Sequence, residues 1–242
     1  MRPRALVVGG SRRVGAAVAL ELARSGFDLC VTWRDDQAGA KEVARVAGVR
    51  GAACRTVRLD LGSVDGGSLP PELTDGAYDA VVLSAAAWEP TPWGEMRRAS
   101  ALQMLQVNAV GPVLLIQALA SGLAQSRLPG GGSVVAIGDI HAHGTPVRGY
   151  GAYLMSKAAL HQAVQQMAAE LAPKVRVNGI LPGVVAWPEG MAAETRDAIL
   201  RRVPAGRSGT PDDVAALARF LCLEAPFMTG ALLPLDGGRS IR

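Results

Sequence analysis

Tyr153 and Lys157 stand four residues apart in Tyr153-Leu154-Met155-Ser156-Lys157, a spacing that puts both side chains on one face of a helix. A free phenol titrates near pH 10, about three units above neutrality, and is a reluctant proton donor. A neighbouring ammonium favours the phenolate and lowers that pKa. Such a pair can pass a proton to a reacting substrate. Tyr and Lys also meet at this spacing by chance, so the reading depends on the elements around them.

A second chemical signal lies near the N-terminus. Gly9-Gly10-Ser11-Arg12-Arg13-Val14-Gly15 follows a short apolar run and precedes a helical pattern. Glycines allow a tight turn and a close approach of backbone to a pyrophosphate, and the helix start offers free N–H groups with a favourable dipole. A turn that merely needs glycine is the competing reading; the order of elements favours the dinucleotide. The next strand ends in Thr32-Trp33-Arg34, where an NAD site usually places a carboxylate for the ribose hydroxyls. Arg34, with Arg12 and Arg13, suits a 2′-phosphate through charge-assisted, bidentate hydrogen bonds. Asp35 follows directly and argues the other way. Each arginine alone reads as a solvated charge, but their convergence on one strand edge predicts NADPH as the cofactor. Asp60-Leu61, after the third strand, borders the adenine in this reading, with a turn or capping role for Asp60 almost as well supported. With a nicotinamide giving a hydride, Tyr153 gives the proton.

These residues need a scaffold, and the chain supplies one. Strands are predicted at Ala5 to Val8, Leu29 to Trp33, Thr56 to Leu59, Ala80 to Leu83, Ser133 to Ile137, Val175 to Ile180 and Leu232 to Leu235. Helices are predicted at Val14 to Ser25, Gln37 to Val46, Leu102 to Ala124, Tyr153 to Leu171 and Asp212 to Leu223. The strands are apolar throughout rather than alternating, the pattern of a parallel sheet covered on both faces. The α/β alternation predicts a single doubly wound Rossmann-type domain over residues 1–242, with a substrate lid around 187–204. At 242 residues, 49% hydrophobic and 19% charged, the chain is long and apolar enough for one sizeable core. Its formal net charge of +4 comes from scattered basic residues, which argues against a nucleic-acid partner and for a small anionic ligand. Cys30, Cys54 and Cys222 are far apart in apolar runs, without metal spacing; core positions, no metal and a reducing cytoplasm are expected. No stretch reads as long enough to span a bilayer, and the N-terminal apolar run is too short for a signal peptide. The expectation is a cytoplasmic protein with no membrane partner.

The glycine turn, Asn108 in Val107-Asn108-Ala109-Val110-Gly111-Pro112, the Tyr153/Lys157 pair and Leu181-Pro182-Gly183 occur in the order seen in short-chain dehydrogenases/reductases, and the chain resembles that family over essentially its whole length. The resemblance implies that Asn108 keeps a helix bulge and a relay water in place, that Lys157 also binds the nicotinamide ribose, and that Pro182, Gly183 and Val184 border the nicotinamide, with Ser84 and Ala85 lining the cofactor. Within the family the chain is most similar to pteridine reductases and related dihydromonapterin and dihydrofolate reductases. Arg13 replaces a loop glycine, as in that branch. Asp139, in Gly138-Asp139-Ile140-His141-Ala142, stands for the family serine. Trp88 falls where those enzymes hold an aromatic that sandwiches the pterin, and Trp187-Pro188-Glu189 and Leu235-Asp236-Gly237-Gly238-Arg239 also look like that group. A flat heteroaromatic substrate suits a stacking partner with polar edges, so Trp88, Trp187, Asp139 and Tyr153 are the expected substrate contacts. Trp88 and Trp187 read otherwise as core or interface aromatics.

Two departures are visible. The family's Asn in the loop after the fourth strand is absent from Leu83-Ser84-Ala85-Ala86-Ala87. Asp139 lies one residue further from the tyrosine than the branch pattern, so either the extra residue is absorbed at His143-Gly144-Thr145 or Ile140 takes the serine position. His141 and His143 have no ligand partners at metal spacing and suit a solvent or substrate-rim role. Three functions follow: reduction of a dihydropterin or dihydrofolate with NADPH; reduction of a ketone, such as a 3-oxoacyl thioester or secondary-metabolite carbonyl; and nucleotide sensing without catalysis, which the intact Tyr–Lys pair disfavours. The resemblance also implies a homotetramer built through the two long helices, with Arg242 placed to reach a neighbouring subunit.

Overall fold

In the computed structural model, which describes residues 2–67, 69–144, 146–188 and 190–241, seven parallel strands form one sheet flanked by helices. β1 (Arg4–Val8), β2 (Asp28–Trp33), β3 (Cys54–Arg58), β4 (Ala80–Leu83), β5 (Gly132–Ile137), β6 (Val175–Pro182) and β7 (Leu232–Leu235) lie in the order β3-β2-β1-β4-β5-β6-β7. The order reverses between β1 and β4. In a doubly wound sheet the crevice beyond the carboxyl ends at that reversal receives the ligand.

Both faces of the sheet are covered, and this is why the inner strands β1, β4 and β5 are apolar over most of their length. Ala5, Val7, Val31, Val82 and Val135 pack with α1 (Arg13–Arg24), α2 (Gln37–Val49) and α8 (Pro211–Leu223). Leu6, Val8, Val81, Leu83 and Val134 face the other way, with α5 (Gly111–Leu123) and α6 (Gly151–Leu171). Alternate residues of one strand therefore serve two cores.

The helix expected from Leu102 begins at Arg98. It runs as α4 (Arg98–Leu105), a π-helical turn at Gln106–Val110, and α5. Pro112 accounts for the wide turn: it has no N–H, and its ring crowds the carbonyl four residues back. Gly111 permits the close crossing, since a Cβ there would meet the Leu61 carbonyl oxygen at 2.5 Å. The continuous Arg98–Leu123 helix is long and apolar enough, by length and composition, to cross a bilayer, which corrects the expectation that no stretch is. Polar Gln106 and Asn108 and the Gly111-Pro112 pair make the run look broken in sequence, but the chain stays helical through the π turn. Met104, Val107, Leu115, Ile116, Leu119 and Leu123 of this helix are buried in the protein. Two short helices were not expected: α3 (Pro71–Thr74), and α7 (Ala193–Leu200) inside the segment read as a lid.

α8 is fixed at both ends. Thr210 and Asp213 form a reciprocal capping box ahead of Pro211. At the other end, the buried Arg176 of β6 donates from Nη1 to the carbonyls of Leu221 (2.7 Å) and Ala225 (2.9 Å), and from Nη2 to that of Cys222 (3.0 Å). It satisfies carbonyls that a helix C-terminus leaves free. Arg176→Met is expected to lower stability by about 3 kcal/mol, the cost of taking a charged donor from the Cys222 carbonyl and from the Leu221 and Ala225 carbonyls, which keep only the Ser133 hydroxyl and the Met228 amide. Urea denaturation checks this through a lower midpoint at an unchanged slope.

Candidate active site

The glycine loop leaves β1 in a conformation that its residues dictate. Gly9 has φ +75°, and a Cβ there would lie 2.7 Å from Ala85. A Cβ on Gly15 would lie 2.0 Å from the Gly9 carbonyl oxygen. The Gly9 and Gly10 amides donate to Thr32, to Oγ1 at 3.1 Å and to the carbonyl at 3.0 Å, which ties the loop to β2. Arg13 occupies the left-handed region at φ +50°, the conformation that a glycine would adopt there. Its guanidinium donates to the Ala186 carbonyl at 3.3 Å. The N-cap residue of α1, Arg12, makes no side-chain cap bond, so no side chain competes for the first-turn amides there. A cradle that a methyl group would fill, closing on an uncapped helix start, fits a pyrophosphate.

The crevice holds about 420 Å³. Of the residues expected to contact the cofactor, Gly9, Ser11, Arg12, Arg13, Val14, Gly15, Arg34, Asp60, Leu61, Ser84, Ala85 and Gly183 line it, together with Tyr153 and Lys157. Pro182 and Val184 do not. Pro182 is buried as the last residue of β6, paired with Leu235, and the Val184 carbonyl accepts from Gly209 N at 2.9 Å. Val185 and Ala186 line the crevice instead, one turn further along. At the adenosine end the carboxylates already have partners. Asp36 caps α2 by accepting from Gly39 N (2.9 Å), and Asp60 accepts from Gly62 N (2.8 Å), which gives Asp60 the turn role. Asp35 pairs with Arg34 at 2.6 Å. That ion pair is exposed, hence worth only about 0–1 kcal/mol, and yields easily to a stronger anion.

The other end of the crevice gathers the reactive groups. The Tyr153 hydroxyl donates to Asp139 Oδ2 at 2.9 Å, while Asp139 Oδ1 accepts from the His141 amide at 2.8 Å. Asp139 thus takes the place beside the tyrosine, and Ile140 is buried in the core. Thr145, where the extra residue was expected to be absorbed, lies outside the described residues, as do Glu189 and Arg242. Lys157 Nζ donates to the Ile137 carbonyl (2.7 Å) and sits 5.9 Å from the Tyr153 ring centre. Burial and the Asp139 carboxylate push the phenol well above its ordinary range. Burial pulls Lys157 down to about 8, against the opposing pull of Asp139. This corrects the expectation of an ammonium-depressed phenol. Burial, with the Asp139 carboxylate beside the phenol, reverses the sign and keeps Tyr153 protonated.

Asn108 stands behind the pair, at the π turn. Its Oδ1 accepts from Ala87 N (2.7 Å), and its Nδ2 donates to the Ala87 carbonyl and to Ser156 Oγ (both 2.8 Å). It joins the loop after β4 to the helix that carries Tyr153. Trp88, in that loop, is half-exposed and lies outside the crevice lining; its ring stacks on Tyr150, centroids 5.0 Å apart at 18°. Trp187 is also outside that lining, with the Arg196 guanidinium 5.7 Å above its ring. Sequence reasoning missed Tyr150. It also missed His161, although its position four residues after Lys157 was a usable signal. The buried His161 Nε2 accepts from Asp139 N at 3.3 Å. Among the described residues no group of three or more His, Cys, Asp or Glu is placed to hold a metal.

A family model described as enoyl-(acyl carrier protein) reductase matches residues 9–240. The chain belongs to the short-chain dehydrogenase/reductase family. It is 32% identical to the uncharacterised oxidoreductase YohF of Escherichia coli, over 97% of this chain and 94% of that one. It is 29% identical to pteridine reductase 1 of Leishmania tarentolae, over 99% and 96%. Among solved structures, acetoin dehydrogenase YohF from Salmonella typhimurium superposes with a TM-score of 0.85 at 30% identity, covering 100% of this chain and 98% of that one. An oxidoreductase with a nicotinamide cofactor follows from this membership. When bound, that cofactor supplies a hydride, and the glycine loop of this chain lines the crevice that would receive it. Gly15→Ala should force the loop away from Gly9 and weaken dinucleotide binding by about 100-fold, roughly 2.7 kcal/mol. Quenching or enhancement of nicotinamide fluorescence measures it, with far-ultraviolet circular dichroism confirming an intact fold.

Proposed function

We propose that the protein is an NADPH-dependent reductase that acts on dihydropterin or dihydrofolate rings. The observation that carries this reading is the Tyr153 hydroxyl bonded to Asp139 at 2.9 Å. A neutral hydroxyl beside the tyrosine can only orient it. A carboxylate can also receive a proton from solvent and return it to the phenol, which suits reduction of a ring whose nitrogen must be protonated as hydride arrives. Lys157 then holds the donor's electrostatics and the nicotinamide ribose, and Asn108 keeps the helix and its water in register. Trp88 offers its ring face away from Tyr150 to a flat substrate, and Trp187 with the 187–204 segment closes over it as part of one domain spanning residues 1–242.

Arg12, Arg13 and Arg34 support NADPH over NADH. Arg12, Arg13 and Arg34 line the crevice, while Asp36 is committed to the α2 cap and Asp35 to Arg34. A 2′-phosphate would take Arg34 from the exposed carboxylate. The chain is proposed to work in the cytoplasm as a homotetramer built through α4–α5 and α6.

A second reading, a ketone reductase, is favoured by one specific feature: Trp88 is already stacked on Tyr150 and outside the crevice lining. The likeness to an acetoin dehydrogenase agrees with it. NADPH oxidation with dihydrobiopterin, dihydromonapterin and dihydrofolate, with and without methotrexate, and with diacetyl in parallel, separates the two. Methotrexate-sensitive turnover is expected; turnover of diacetyl alone would move the assignment to ketones.

Two substitutions sharpen the test. Tyr153→Phe should lower kcat by about 100- to 10,000-fold, the range of a lost general acid, and Asp139→Asn should cost the pterin reaction more than any ketone reaction. Arg34→Ala should lower kcat/KM for NADPH by about 10- to 100-fold, as loss of a charge-assisted hydrogen bond implies, and leave NADH within about threefold. Equal losses with both cofactors would remove the 2′-phosphate assignment.

A further inference from the structure

We propose that His161 is a positioning residue for proton delivery: its neutral imidazole anchors the main chain of Asp139 and so aims the carboxylate at Tyr153. Asp139 is held at three points. Its amide donates to His161 Nε2 at 3.3 Å, its Oδ1 accepts from the His141 amide at 2.8 Å, and its Oδ2 is left for the Tyr153 hydroxyl at 2.9 Å. The second contact fixes the carboxylate relative to its own turn. The first ties the backbone of that turn to α6, the helix that also carries the tyrosine and meets the carboxylate through its hydroxyl.

The surroundings are shaped around this contact. A Cβ on Gly138 would lie 2.4 Å from His161 Nε2, so glycine there lets the ring reach the backbone. Tyr153, Lys157 and His161 follow one another at four-residue steps, so one helix face carries the donor, the ammonium and the anchor. His161 is 5% exposed, and its Nδ1 has no hydrogen-bond partner among the described residues. With Nε2 accepting, a neutral ring carries its proton on that buried Nδ1. An unpaired buried donor is a net cost to the fold, and an aliphatic side chain would fill the site without it. What the imidazole adds is the acceptor. Burial, with Lys157 and His143 nearby, holds its pKa down to about 4 despite the pull of Asp139, so the acceptor is present at neutral pH.

The inference rests on the Tyr153–Asp139 proton reading, but its first test needs no substrate. The separation of Tyr153 Oη and Asp139 Oδ2 is read from crystal structures of the parent and the variants. In His161→Leu, which cannot accept, Asp139 loosens and the two oxygens part beyond hydrogen-bond reach, about 3.5 Å. In His161→Gln, whose amide oxygen can accept, the contact stays parental. The second test is kcat with dihydrobiopterin. His161→Leu lowers it about 10-fold or more at an unchanged KM for NADPH, and adds less than about twofold when Asp139 is already Ala. A folded His161→Leu protein with a parental Tyr153–Asp139 contact overturns the proposal, as does an undiminished loss of kcat in the Asp139→Ala background. If the parent oxidises no NADPH with any dihydropterin, the substrate reading falls and the structures alone decide. If His161→Leu does not fold, His161→Met, closer in volume and with only a weak thioether acceptor, replaces it.

Discussion

The three hydrogen bonds of Asn108 are the constraint on which the rest of the site depends. They join Ala87, in the loop after β4, to Ser156, in the helix that carries Tyr153 and Lys157. The same loop meets the start of that helix again through Thr91, whose Oγ1 accepts from Ala152 N at 3.1 Å, but Asn108 makes the contact at the turn beside the reactive pair. The bonds are possible only because the helix widens to a π turn at that residue, and the π turn follows from Pro112. Gln106 fixes the same turn from its other side, with Nε2 donating to the Val64 carbonyl at 2.7 Å. Position of the proton donor is thus traced to a proline that removes one amide and an asparagine that uses the space.

Charge sets the chemistry once position is fixed. Tyr153, Asp139 and Lys157 are three titratable groups in one partly dry pocket, and their mutual effects do not follow from any pair alone. Lys157 by itself would favour a phenolate. Burial and a carboxylate 2.9 Å away favour the neutral phenol, and they prevail. Lys157 is meanwhile drawn down to about 8 by its own burial and bonded to the Ile137 carbonyl. The result is a donor kept loaded, beside a lysine close enough to neutral pH to answer changes in charge around it.

Legibility in the sequence followed the reach of the interactions. β4 and β7 were readable to the residue and the other strands to within two; for β4, burial on two faces imposes a short run in which every residue is apolar. The glycine loop was readable because close backbone approaches exclude every other residue at Gly9 and Gly15. The Asp139 register was not readable, since it depends on a turn at His141 and an anchor 22 residues away. The stacking of Trp88 on Tyr150 was hidden for the same reason: it follows from the Thr91 amide donating to the Gly149 carbonyl at 2.6 Å, a contact between distant segments. The sign of the phenol shift failed because a spacing rule sees Lys157 on the same helix and cannot see Asp139 across from it.

Arg13 shows how one residue can serve both ends of such a crevice. A non-glycine residue in the left-handed region costs about 1–2 kcal/mol, and the loop accepts that cost at φ +50°. Glycine would avoid it. What glycine could not do is extend a guanidinium to the Ala186 carbonyl, in the segment that follows β6 and lines the opposite wall. The phosphate loop and the segment leading to Trp187 are therefore connected by a side chain, across the entrance rather than through the sheet. Binding that orders the loop must then also favour one placement of the wall, because the two share a hydrogen bond. In this protein the replacement of a loop glycine is a structural link between the glycine loop and the segment that follows β6.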